Sequence, residues 1–113
     1  MLNQTVLVGR LTSDVEVKEL EDGKKVSNIT LAIPRSYKNT NGEYETDFIN
    51  CTLWSGVAEN TAEYCHKGDI IGVKGRLQNK EIEVNGEKRK ISEVVAEKVT
   101  FLSSSKTKDK EME

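Results

Sequence analysis

Phe48 and Trp54 stand six positions apart in the segment DFINCTLWSG (47–56), with Asn50 and Thr52 at the even positions between them. Trp54 is the only tryptophan in the chain. In a strand, successive side chains point to opposite faces. Ile49, Cys51 and Leu53 then form a core face, and the other face carries two aromatic rings beside two small polar residues. Such a face has the chemistry to hold unpaired nucleic acid. Bases stack on rings whatever their identity, each stack contributing about 1–3 kcal/mol, while cations follow the phosphates. A duplex fits less well, because base pairing hides the π-faces that the rings would engage.

Cations stand at suitable positions. Lys74 and Arg76 share one face of the strand pattern DIIGVKGRL, opposite Ile71 and Val73, and are expected beside the rings. Arg10, Arg35, Lys38, Lys80 and the KRK run at 88–90, with Arg89 at its centre, add further basic positions. Tyr37 precedes Lys38 just before a hairpin signal, and either packs over a barrel end or joins the rings. The formal net charge of −2 does not oppose this reading. Acidic residues concentrate in 14–22 and around 43–47, which leaves room for a basic groove on an acidic body.

Catalytic chemistry finds little to work with. His66 is the only histidine and has no Cys, His or carboxylate at metal-ligand spacing. No phosphate-cradling glycine pattern occurs, and no carboxylate sits in an apolar run that would raise its pKa. Cys51 and Cys65 are isolated, form no C-x-x-C pair and read as reduced, buried thiols. The expectation is a non-enzyme with no catalytic residue, metal or cofactor.

The elements that must position these residues follow from hydrophobic period and turn signals. NQTVLVGRL (3–11) reads as a strand with a bend or close approach at its glycine, and DVEVKEL (14–20) as a half-exposed strand closed by EDGKK. VSNITLAIPR (26–35) alternates, with Val26 out of phase, and Pro34 should end regular pairing or mark an edge. Asn41-Gly42 predicts a hairpin turn before the strand that holds the rings. The only helix signal is SGVAENTAEYCHKG, with Ser55 as its cap, an apolar stripe of Val57, Ala58, Thr61, Ala62 and Cys65, and Gly68 as terminator. DIIGVKGRL and EVVAEKVTFL are the last two barrel strands, separated by a hairpin with Asn85-Gly86 at its turn. Residues 103–113 carry no apolar face and read as a disordered polar tail.

Five strands with a helix between the third and fourth is the plan of an OB-fold, an all-β Greek-key barrel with one short helix, spanning 1–102. An SH3-like barrel normally lacks a helix there. No apolar run is long enough for a membrane span, and MLNQTVLVGRL lacks a signal peptide's apolar stretch, so a cytoplasmic location is expected.

Taken together, NQTVLVGRLTSDVE, VSNITLAIPRSY, TDFINCTLWSGVAEN, YCHKGDIIGVKGRLQ and EVVAEKVTFL resemble the bacterial-type single-stranded DNA-binding protein family over about residues 1–102. Each motif alone is weak; their order and spacing are specific. The resemblance implies an OB-fold, a homotetramer and single-stranded DNA wrapped over aromatic and basic positions, in association with the nucleoid. It puts Tyr37, Phe48 and Trp54 at base-stacking positions and Arg10, Arg35, Lys74 and Arg76 at positions suited to phosphate. The first strand and Ile49 would contribute subunit contacts.

Three departures accompany the resemblance. Ile82 stands where the family often has an aromatic, Asp14-Val15-Glu16 replaces Asp-Pro-Glu, and KTKDKEME, of zero net charge, lacks the family's acidic, apolar-capped tip. Recruitment of other proteins through a tip is therefore expected to be weak or absent. Two other binding modes share the same residues: an RNA-binding OB module, and a replication or recombination scaffold whose aromatic face contacts protein.

Overall fold

In the computed structural model, which describes residues 1–103, the alternation of the ring-bearing segment is realised as a strand. The elements are β1 (Thr5–Leu11), β2 (Lys18–Glu19), β3 (Lys25–Lys38), β4 (Tyr44–Trp54), α1 (Ser55–Tyr64), β5 (Ile70–Val84) and β6 (Glu87–Ser103). The sheet runs β1-β5-β6-β4-β3-β2, and an extra β1–β3 pairing closes five of its strands into a barrel. All pairings are antiparallel except β4 with β6. This is the OB-fold, with the helix between the third and fourth barrel strands as expected.

The barrel interior is filled by the inward-facing set of each strand. Leu11, Ile29, Leu31, Cys51, Leu53, Ile71, Val73 and Val94 are all buried, and Ala58 of α1 plugs one end. On β3 the inward set is Ser27, Ile29 and Leu31, so Val26 does stand out of phase. Burial pushes the thiols of Cys51 and Cys65 up to about 11, Asp69 adding to the effect at Cys65. Both cysteines are free.

Closure depends on two places where backbones approach too closely for a side chain. A Cβ at Gly9 would lie 2.8 Å from Ile33 Cγ1 and 3.0 Å from the Ala32 carbonyl oxygen, just where β1 passes from β5 to β3. A Cβ at Gly75 would collide with the carbonyl oxygen of Val95. At Gly75 the β5–β6 register shifts between Lys74 and Gly75, and this irregularity bends the pair from barrel wall into a projecting arm.

Several local expectations are corrected. DVEVKEL shrinks to the two-residue β2, because Val15 and Val17 turn in against the core and only Lys18 and Glu19 reach β3. Ser55 does not cap α1. It is the first helical residue, at φ 50°, and the N-cap is Trp54, which has no side-chain capping bond. The helix stops at Tyr64 rather than at Gly68, which serves the next turn at φ 93°. The first Asn-Gly is not a two-residue turn. Asn39 organises that loop, its Oδ1 accepting from the amides of Asn41 (2.9 Å) and Glu43 (3.0 Å). The second Asn-Gly is a two-residue turn, with Asn85 at φ 51° and Gly86 at φ 80° between Val84 and Glu87. Pairing does lose its register after Pro34, yet β3 continues to Lys38. The tail expected over 103–113 lies, apart from Ser103, outside the described residues.

Replacing Gly75 by Ala should destabilise the barrel by about 3 kcal/mol, since the backbone of β6 cannot retreat without opening the core. Urea unfolding should show the midpoint falling sharply, whereas Gly56→Ala, where an added Cβ would meet no other part of the fold within 4 Å, should leave it nearly unchanged.

Candidate nucleic-acid interface

The rings expected on the outer face of β4 are there. Phe48 is 64% exposed and Trp54 39%, while Cys51 and Leu53 behind them are fully buried. Six residues of strand place the two rings about 20 Å apart. Trp54 ends β4, and the chain then reverses through the left-handed Ser55, so the ring stands at a corner of the barrel.

The floor between the rings is polar and pinned. Asn50 accepts a hydrogen bond from the Thr30 hydroxyl (2.9 Å) through Oδ1 and is itself exposed. Thr52 is corrected from an open position to a covered one, at 5% exposure. Its hydroxyl donates to Glu93 Oε2 at 2.7 Å and lies 3.2 Å from Asn28 Oδ1. Glu93, on β6, was not anticipated. Only the parallel β4–β6 pairing brings it here, and nothing in the local sequence signals that pairing.

The cations are distributed differently from expectation. Lys74 and Arg76 do not lie on the strand next to the rings, because β6 intervenes between β4 and β5. Arg76 is opposite Val95, which is in turn paired with Thr52, so it shares the row that crosses the floor. It also meets Glu97 at 3.6 Å. Lys74 faces Lys98 on one side and Val6 on the other, in the β1–β5–β6 sector. Arg10 pairs with Ala32, and Ala32 with Phe48, which sets Arg10 two strands from that ring; its Nη1 donates to the Gly68 carbonyl at 2.6 Å.

Two hairpin arms extend the face. On the β5–β6 arm, alternation puts Lys80, Ile82, Val84, Arg89 and Ile91 on one side, continuous with Arg76. Glu81 and Glu83 oppose Lys90 and Lys88 on the other side. Arg89 also reaches Glu87 at 3.7 Å. On the β3–β4 arm, Tyr37 is 64% exposed, and Lys38 stands 5.6 Å from the centre of the Tyr44 ring, a cation–π pair. Tyr44 is a second exposed ring that the sequence reading missed; hairpin register would have found it opposite Lys38.

Arg35 is committed elsewhere. Its Nε and Nη2 donate to Asp47 Oδ2 (3.0 Å) and Oδ1 (2.9 Å), and Nη1 donates to Glu45 Oε2 at 2.6 Å. The Asp47 bonds raise the guanidinium's pKa further, and the same bonds hold the Asp47 carboxyl below its ordinary value against some desolvation. The fork ties the root of the β3–β4 arm and leaves Arg35 largely neutralised.

Over residues 2–102 this chain matches the single-strand binding protein family. The chain belongs to that family. It is 48% identical over 103 residues to single-stranded DNA-binding protein B of Bacillus subtilis, covering 90% of this chain and 91% of that one. It is also 48% identical to the single-stranded DNA-binding protein of Halalkalibacterium halodurans, again over 90% of this chain, but spans only 61% of that longer relative. With single-stranded DNA-binding protein 1 of Lactococcus lactis the identity is 45% over 108 residues, covering 95% of this chain and 72% of the relative. In this member of the family the outer face of β4 combines rings with a pinned amide and a pinned hydroxyl.

Removing the fork with Arg35→Ala should speed hydrogen exchange of amides in the β3–β4 arm, while barrel amides stay protected. Acid should act in the same direction on the unaltered chain. Because Asp47 is depressed in the fold, its contribution is fully present above the ordinary aspartate value of 3.8 and is lost as pH falls below it. Arm protection should therefore be flat from pH 5 to 8 and drop only in strong acid.

Proposed function

We propose that this protein binds single-stranded DNA with little sequence preference and protects exposed strands during replication, recombination, repair or DNA uptake. The observation that carries this reading is the pair of rings held on the open face of β4, 64% and 39% exposed, in a chain of this family. Phe48, Trp54 and Tyr37 supply stacking platforms, and Asn50 lines the floor between two of them. Arg10, Arg76, Lys80 and Arg89 track the phosphates, with Lys74 reached only by a strand that wraps past β6 onto the β1–β5–β6 sector. Arg35, Lys38 and Thr52 act by positioning: the first two fix the β3–β4 arm, and the third anchors Glu93. The reading assigns no reaction to the chain, and binding of this kind would place it with the nucleoid in the cytoplasm.

Because Trp54 is the sole tryptophan, its fluorescence reports on the interface directly. Titration with oligo-dT should quench it and a matched duplex should not. Trp54→Ala should weaken oligo-dT binding about tenfold, measured by anisotropy of a labelled strand, and affinity should fall with rising salt. Unchanged affinity in a folded Trp54→Ala protein would remove the reading.

The same proposal includes a homotetramer. Support comes from β1, whose outward residues Val6 and Val8 are large, apolar and exposed. Among the described residues, that strand pairs with β5 alone from Thr5 to Val8, leaving its second edge open there. Exposed apolar side chains along an open edge suit pairing with another copy. Light scattering should give a tetrameric mass, and Val8→Glu should shift it to smaller species without unfolding the barrel.

A further inference from the structure

Glu93 is an acidic side chain on a face otherwise suited to a polyanion. Its position is built rather than incidental. The parallel register Cys51↔Val94 and Thr52↔Val95, run back one step, sets Glu93 beside Asn50 and on the same outer face. The Thr52 hydroxyl has a single proton. The carboxylate takes it, since at 2.7 Å that contact is shorter than the 3.2 Å contact to Asn28 and is charge-assisted. Glu93 Oε2 is thereby held, and Oε1 has no hydrogen-bond partner among the described residues. Asn50 is pinned in the complementary sense. With its Oδ1 taken by Thr30, its Nδ2 is the group left to face solvent. The floor between Phe48 and Trp54 therefore presents a fixed acceptor next to a fixed donor.

A carboxylate repels phosphate, so the group of a bound strand that meets Glu93 is a base rather than the backbone. We propose that Glu93 reads the base edge, accepting a hydrogen bond from an exocyclic amino group and so biasing the interface toward cytosine over thymine. This rests on the single-strand reading above and deepens it. Cytosine projects a free amino group with two N–H bonds, the usual donor to a glutamate, and its ring carbonyl can accept from Asn50. Thymine's one donor lies between two carbonyl oxygens, which approach the carboxylate together with it. The bias is superimposed on stacking that serves every base.

The test compares oligo-dC with oligo-dT of equal length at one salt concentration, by anisotropy of a labelled strand. Because the two bases also differ in stacking, the readout is the change in the dC-to-dT affinity ratio between proteins. Glu93→Gln keeps an acceptor for Thr52 and turns a donor outward, so the ratio should fall about tenfold. Glu93→Asp keeps the charge but withdraws the carboxylate by one methylene, and should lower the ratio in the same direction. Trp54→Ala should weaken both strands and leave the ratio unchanged. An unchanged ratio in both Glu93 variants, even with altered overall affinity, would reduce Glu93 to a structural or electrostatic role and overturn the proposal. Failure of the unaltered protein to bind either strand would instead overturn the single-strand reading, and this one with it.

Discussion

The close approach of backbone to backbone at Gly75 and Gly9 is the constraint on which the rest of the molecule depends. Without a Cβ at Gly75, β6 can ride against β5 through a register shift and leave the barrel as one wall of an arm. Without one at Gly9, β1 can change partners from β5 to β3 and shut the cylinder. A closed cylinder in turn fixes which residues of β4 face out. Slipping the strand by one residue would bury the rings and expose Cys51 and Leu53, at a cost the core would not tolerate.

The outer face separates its side-chain chemistry by strand. Rings and amides come from β3 and β4, while Arg10 comes from β1, Lys74 and Arg76 from β5, and Lys80 and Arg89 from the β5–β6 arm. Several of the acidic residues are spent locally, against cations of the same surface. Asp47 and Glu45 hold Arg35, Glu59 holds Lys25, and Glu97 meets Arg76. Net charge is thus a poor guide to this surface, because pairs that cancel locally contribute little field.

Period-two alternation made the core and the exposed rings legible in the sequence, since burial on one side of a strand leaves its mark at every second residue. Glycine and asparagine marked both hairpins, though only the second had the two-residue turn that its Asn-Gly suggested. What escaped was non-local. The interposition of β6 between β4 and β5, which moves Lys74 and Arg76 away from the rings, is a matter of topology with no local trace. Glu93 and Arg35 escaped for the same reason, since what each side chain does is set by residues from another strand. Ser55 shows the opposite failure: a good capping residue in a good capping position was overridden by the sharp exit from Trp54.

The seam between β4 and β6 is held by only two paired positions, Cys51↔Val94 and Thr52↔Val95, joining segments far apart in the chain. Hairpins β3–β4 and β5–β6 can each form from neighbouring residues, but this parallel seam must wait until both exist. Loop closure of that kind is entropically late, and domains rich in such contacts fold in milliseconds to seconds. The seam is also where the floor of the outer face is assembled. A nascent chain would therefore acquire its two arms first and its ligand-facing surface last, so that the competence to bind and the completion of folding are one event.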